Sequence, residues 1–182
     1  MDVRLANLGE NQEQNMSSKI IVGVLGPGES ATPEDNELAF ELGQGIAKNG
    51  WVLLTGGRNF GVMDAAMKGA KDANGLTVAI LPTENDREAS DNADIRIVTG
   101  MGSGRNIINA LSSKVLVVVG MAAGTSSEVS HALKAGRKVI LLNQDETTVS
   151  FFRKVGGYKV MVASSVAEAL SMVKVYLSVH VH

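Results

Sequence analysis

The chain contains no cysteine, which excludes disulfides, thiolate ligation of a metal and cysteine nucleophiles together. Histidine is nearly absent: His131 falls within a helical pattern, and His180 and His182 stand in the terminal V-H-V-H. No serine–histidine–carboxylate relay is legible, because His131 follows Ser126 and Ser127 on one helix and no third group is evident. No apolar run approaches the roughly eighteen residues of a membrane helix, and the opening M-D-V-R-L-A-N-L-G-E lacks the continuous apolar stretch of a secretory signal. A cytoplasmic protein without a membrane partner is expected. Positive charge is not in excess, with 17 Lys and Arg against 19 Asp and Glu and a formal net charge of -2, so a nucleic-acid surface is not the expected business. Aromatic residues are only 4% of the chain. Few large rings can fill a core, and apolar helix faces in such a chain point to a homo-oligomer, a dimer or tetramer.

What is present is aliphatic and glycine-rich. The 182 residues, 45% hydrophobic, have the size of one domain with a full core. Residues 1–18 are polar and without period and read as a flexible N-terminal arm. Residues 19–178 form the folded unit, and 179–182 read as a tail resembling a tag remnant. Within the unit, strands over 20–25, 51–55, 76–81, 95–99, 115–119, 139–142 and 158–162 alternate with helices. Those helices cover 33–49, 62–73, a stretch from Arg105, 126–135, a short piece near Val149, and 166–177. The run V-L-V-V-V at 115–119 has no polar alternation, as suits a strand covered on both faces. This order predicts an α/β fold: a doubly wound, mostly parallel sheet of about seven strands with helices on both faces, Rossmann-like.

In such sheets ligands bind beyond the carboxyl ends of the strands, and every glycine cluster here falls at such an end. Gly26 and Gly28 follow the first strand; Thr55, Gly56, Gly57 and Arg58 end the second. Gly102, Ser103, Gly104 and Arg105 follow the fourth, and Gly124, Thr125, Ser126 and Glu128 follow the fifth. Glycines let backbone amides approach an oxyanion, and a helix start adds free N–H groups and a positive dipole end. Arg58 and Arg105 can add charge-assisted contacts, with Ser103 and Asn106 as further donors. A phosphorylated ligand is therefore expected. Each element also has a plainer reading. Arg58 is then a surface residue on a tight turn, and Arg105 a helix-start residue paired with a carboxylate. Gly124 to Glu128 is then a hydroxyl helix cap with a glutamate reaching back to free amides. For Glu128 the cap and the ligand contact stand level. The small residues Ala66, Gly69, Ala70 and Ala73 suggest close packing on the sheet or on another subunit, and the charged stretch 84–94 a solvated loop at the rim of the site.

Three blocks carry a family resemblance: T-G-G-R-N-F-G-V-M at 55–63, T-G-M-G-S-G-R-N-I-I-N-A-L-S-S at 99–113, and V-G-M-A-A-G-T-S-S-E-V-S-H-A-L-K-A-G-R-K-V at 119–139. In this order they resemble the molybdenum cofactor carrier proteins of algae and cyanobacteria, from about Lys19 to the last strand. The resemblance implies a Rossmann-like homo-oligomer that binds, protects and delivers the molybdenum cofactor, a pterin dithiolene with a terminal phosphate. It implies no catalysis and no metal ligands from the chain. The recipients it implies are molybdoenzymes or cofactor-synthesis proteins. The flat pterin would lie over apolar residues such as Met63, Met101 or Met121. A wider similarity joins Lonely-Guy-type phosphoribohydrolases, lysine-decarboxylase-like proteins whose motif is P-G-G-x-G-T-x-x-E with an upstream arginine. Gly124, Thr125 and Glu128 match that motif and Arg105 falls near the arginine, so the alternative is hydrolysis of a nucleoside 5'-monophosphate by Glu128 and Arg105. Met121, Ala122 and Ala123 stand before Gly124 in place of the motif's G-G-x and add Cβ atoms where the enzyme backbone meets a phosphate.

Overall fold

Seven short aliphatic runs become strands in the computed structural model, which describes residues 18–180. They are β1 (Ile21–Leu25), β2 (Val52–Thr55), β3 (Thr77–Leu81), β4 (Ile95–Val98), β5 (Val115–Val119), β6 (Lys138–Leu142) and β7 (Val160–Ala163). Every neighbouring pair is parallel and the order is β4-β3-β2-β1-β5-β6-β7. Parallel neighbours need crossovers, and helices supply most of them: α1 (Pro33–Lys48), α2 (Gly61–Asp72), α3 (Asn106–Ser112), α4 (Ala123–Lys134), α5 (Glu146–Gly156) and α6 (Val166–His180). The expected doubly wound sheet is the one observed. Apart from Ser18, the expected arm lies outside the described residues, as do the last two positions of the expected tail. Val179 and His180, placed in that tail from the sequence, are helical because α6 continues to His180.

α1, α2 and α6 cover one face, where Leu42, Ile46, Met67 and Val173 pack on Val22, Val24, Val115 and Val117. α3, α4 and α5 cover the other, where Ala110, Val129 and Phe152 meet Leu116, Val118 and Leu141. Alternate residues of β5 therefore face opposite cores, and all of Val115–Val119 is buried. β4 differs: at the sheet edge, all four of its residues are exposed, Ile95, Ile97 and Val98 among them. β7 begins at Val160 rather than at the expected residue 158, because a single 3-10 turn over Gly157–Lys159 precedes it.

The chain leaves β1, winds outward to β4, then returns to β5 on the other side of β1. Strand order thus reverses between β1 and β5, and the carboxyl ends of these two strands cannot be bridged by a common crossover.

The small residues on α2 find their partner inside the chain. A Cβ at Gly69 would overlap the carbonyl oxygen of Phe40, and one at Gly43 the carbonyl oxygen of Ala66. The stripe packs on α1, so it is not a surface for a second subunit. Gly43→Ala and Gly69→Ala should each lower stability despite alanine's helix preference of about 1 kcal/mol. The methyl meets backbone that cannot rotate aside, and such overpacking costs about 1–3 kcal/mol. Thermal unfolding should show midpoints lower by roughly 2–8 °C; a midpoint at or above that of the parent would contradict the close approach of α1 and α2.

Candidate functional site

A cavity of about 430 Å³ opens where the strand order reverses, lined by the loops that follow β1, β2 and β5 and by residues at the start of α3. The β1–α1 loop contributes Gly26, Pro27, Gly28, Glu29 and Ser30; the β2–α2 loop contributes Gly56, Arg58 and Phe60; α2 adds Met63. Across the sheet, Arg105 and Asn106 meet Ala122, Gly124, Thr125 and Glu128.

Two glycines make this assembly possible. The Arg105 guanidinium lies directly on Gly56, where a Cβ would stand 2.6 Å from Cζ. At Gly61, φ is +63° and a Cβ would lie 2.6 Å from the Pro27 carbonyl oxygen, so only glycine fits both the conformation and the space. The long loop after β4 crosses the end of β3 to bring Arg105 here: Gly100 N–H donates to Thr83 O and Gly102 N–H to Pro82 O, each at 2.9 Å.

The helices that follow β1, β2 and β5 differ in how their first amides are bonded. In α1 a capping box closes the end: Thr32 Oγ1 accepts from Asp35 N–H at 3.1 Å and the Asp35 carboxylate from Thr32 N–H at 2.9 Å. In α2, Val62 N–H donates to Pro27 O at 3.0 Å. In α4 the cap is Ala122, which has no side-chain acceptor, and the first helical bond is Ser126 N–H to Ala122 O at 2.8 Å. The amides of residues 123–125 therefore lack an acceptor among the described residues. They add the positive end of a twelve-residue helix dipole to the cavity wall.

Glu128 is not a cap. It lies beyond the first turn of α4, 8% exposed, and faces Arg105, 11% exposed, with Nη1–Oε1 3.3 Å. Asn109 Nδ2 donates to the same carboxylate oxygen at 2.7 Å. Burial pushes the Glu128 carboxyl above its ordinary value, against the pull of Arg105 and Asn109. Burial likewise lowers Arg105, which Glu128 raises and Arg58 lowers again. The guanidinium remains charged. Arg58 stands beside Glu88, with Nε–Oε2 3.4 Å, and its guanidinium carbon lies 5.7 Å from the Phe60 ring centroid. The charged loop 84–94 is tied to this wall: Asn59 N–H donates to Glu88 O and Ser90 N–H to Gly57 O, each at 2.9 Å. Of the readings open for Arg105, pairing with a carboxylate is met, and the pair itself lines the cavity.

The structure brings together Gly26, Gly28, Gly56, Arg58, Arg105, Gly124, Thr125 and Glu128. Six other candidates stand outside the lining. Thr55 is buried, its Oγ1 accepting from Gly57 N–H at 2.9 Å, and Gly57 spends its carbonyl on Ser90, so both shape the turn. Gly102, Ser103 and Gly104 form an exposed 3-10 turn in which Gly104 N–H donates to Met101 O at 2.9 Å. These three residues stand apart from the cavity. Ser126 N–H is used inside α4. Met63 lines the cavity, Met101 is 52% exposed away from it, and Met121 packs into the core under α4. Asn109 and Phe60 went unnoticed in the sequence. Asn109 stands four residues after Arg105, on the same side of the chain's helical turn, and that spacing was the available signal.

Residues 19–170 match the family model described as the SLOG cluster4 family. The structure of the molybdenum cofactor binding protein from the phototrophic bacterium Rippkaea orientalis is 51% identical, with a TM-score of 0.87 over 88% of this chain and 98% of that one. The molybdenum cofactor carrier protein of Chlamydomonas reinhardtii is 49% identical, with a TM-score of 0.85 over 88% of this chain and 99% of that one. A cytokinin riboside 5'-monophosphate phosphoribohydrolase of Mycobacterium tuberculosis is 35% identical over 102 residues, 55% of this chain and 54% of that protein, so the chain spans about half of that relative.

A carboxyl whose folded-state pKa is raised favours folding in its protonated form. The Glu128 contribution is thus complete below the unfolded value and is lost as pH rises through the folded one. A carbon-13 titration should place the Glu128 midpoint above that of an exposed glutamate, and Arg105→Met should move it higher still. A midpoint at or below an exposed glutamate's would mean that the ion pair outweighs burial.

Proposed function

The chain belongs to the SLOG cluster4 family, alongside the molybdenum cofactor carrier proteins, and from that premise we propose that its cavity binds the molybdenum cofactor as cargo, shields it and hands it on. The observation that carries this reading is the uncapped start of α4 beside Arg105 in one cavity with the Phe60 and Met63 side chains. The amides of residues 123–125 and the two arginines suit a terminal phosphate. The Phe60 ring and the Met63 thioether suit a flat heterocycle. The chain has no cysteine, so it has no thiolate of its own to offer the molybdenum. Holding the cofactor requires no discrimination between ground and transition states. No described helix is long and apolar enough to cross a membrane, and exchange with molybdoenzymes or cofactor-synthesis proteins in the cytoplasm fits this role.

One observation favours a second reading. Glu128 and Arg105 form a buried pair on the cavity wall, as hydrolysis of a nucleoside 5'-monophosphate to a free base and ribose 5-phosphate would use. The Ala122 methyl group counts against it, since it lines the cavity at the helix cap where the hydrolase motif has glycine.

Protein incubated anaerobically with molybdenum cofactor should retain molybdenum and oxidisable pterin through gel filtration and slow their loss in air. Arg58→Ala and Arg105→Ala should each weaken retention by about 1.5–3 kcal/mol, the range for hydrogen bonds to a charged group. AMP should yield no ribose 5-phosphate. Release that vanishes in Glu128→Gln, with no retention of cofactor, would make the chain an enzyme. The exposed side chains of Ile107 and Leu111, on α3 beside the site, agree with self-association to a dimer or tetramer. Sedimentation at micromolar concentration should give a multiple of the 19.1 kDa chain mass; the mass of one chain would exclude it.

A further inference from the structure

The two walls of the cavity lie on opposite faces of the sheet and carry different chemistry. On the α3–α4 face stand Arg105 and the uncapped amides of α4. On the α1–α2 face stand Phe60, Met63 and the turn Gly28-Glu29-Ser30, where a Cβ at Gly28 would lie 2.7 Å from the Phe60 ring. In doubly wound sheets an anion commonly sits at the first glycine loop. Here the capping box takes the Thr32 and Asp35 amides at the start of α1, and an acidic residue, Glu29, stands on the turn before it, where its charge opposes a second anion. A bound phosphate is thus directed to α4, and the rest of the ligand must cross the end of β1 toward Phe60.

Two acidic residues line the cavity, and they differ in freedom. Glu128 is held by Arg105 and Asn109. The ion pairs at the cavity are Arg105 with Glu128 and Arg58 with Glu88, and Glu29 takes part in neither. Glu29 is exposed and lines the cavity together with Phe60, and a carboxylate has two acceptor oxygens side by side, the complement of two adjacent N–H donors on the edge of a flat heterocycle.

Resting on the cofactor reading above, we infer that Glu29 is the specificity-determining residue of this cavity: it accepts hydrogen bonds from the ring N–H and exocyclic amine of a 2-amino-4-oxo heterocycle whose phosphate is held on the far face by α4 and Arg105. Glu29 also acts by exclusion. A ring bearing a carbonyl in place of the amine would set an oxygen lone pair against the carboxylate, so selectivity has a repulsive part as well as an attractive one.

Two probes that differ only at that position test it: 6-hydroxymethylpterin phosphate, and 6-hydroxymethyllumazine phosphate, which carries a carbonyl where the pterin has its amine. Titration calorimetry on the full chain should show a preference for the pterin of about tenfold or more, the scale of one charge-assisted hydrogen bond. Glu29→Ala should remove that preference. Glu29→Gln, whose amide can donate to the lumazine carbonyl, should abolish or reverse it. Competition by inorganic phosphate should be unchanged in both variants, because its receptor lies on the other face. Equal binding of the two probes by the parent protein, or the same ratio in parent and Glu29→Gln, would overturn the role of Glu29 and leave the cavity's ligand reading intact. Failure of the parent protein to bind either probe would overturn both.

Discussion

The reversal of strand order at β1 is the constraint from which the rest of this molecule follows. Because β2 and β5 both pair with β1 while their crossovers run to opposite sides, no loop covers the end of β1. The helix starts around the open space differ in bonding: in α1 the capping box of Thr32 and Asp35 takes two amides, and in α2 the Pro27 carbonyl takes that of Val62. The start of α4 has no side-chain cap, and its first amides face the cavity unused. A single topological fact thus produces both the cavity and its electrostatic polarity, and the glycines at positions 56 and 61 are what allow the surrounding backbone to close on it.

The buried pair of Arg105 and Glu128 shows how that polarity is kept in balance. Taking either charge alone out of water would be costly, and the loss is offset only when the partner and an additional hydrogen bond are present. Asn109 supplies the bond to Glu128. Arg105 is fixed by Glu128 on one side and by the Gly56 backbone on the other, so its position is set before any ligand arrives. Preorganised charge of this kind lowers the ordering cost of binding. The same feature can serve a carrier or a hydrolase. What separates them is whether Glu128 interacts more strongly with a transition state than with a bound molecule.

Much of this was legible from residue order. The unbroken aliphatic run at β5, the strand–helix alternation and the glycine clusters after the strands led to the sheet and to the correct end of it, because buried parallel strands and positive-φ turns leave local signatures. The helix after β5 was misread locally. Its start at Ala123 rather than Ser126 has no capping side chain to announce it, and the hydroxyl-rich T-S-S that followed looked like a cap. Gly102 to Gly104 stand outside the cavity for a different reason. That segment is glycine-rich because it must turn sharply on its way from the sheet edge to Gly56, with Gly102 N–H bonded to the Pro82 carbonyl it crosses and Gly104 N–H to Met101 O within the turn. Contacts between residues distant in sequence, such as Asn109 with Glu128 or Gly43 with Ala66, have no periodic trace and emerge only when the helices pack.

The exposed edge strand bears on the distant cavity. β4 has one hydrogen-bonded neighbour and no helix over its side chains, so little buried surface opposes its separation from β3. The segment that follows it is the tether carrying Arg105 across the sheet. Detachment of β4 would slacken that tether while leaving β1, β5 and α4 in place, so the cationic half of the cavity is anchored at the least stable margin of the fold and its receptor amides at the most stable. The grip on an anion and the integrity of the core are therefore set by different parts of the chain, and one can loosen without the other.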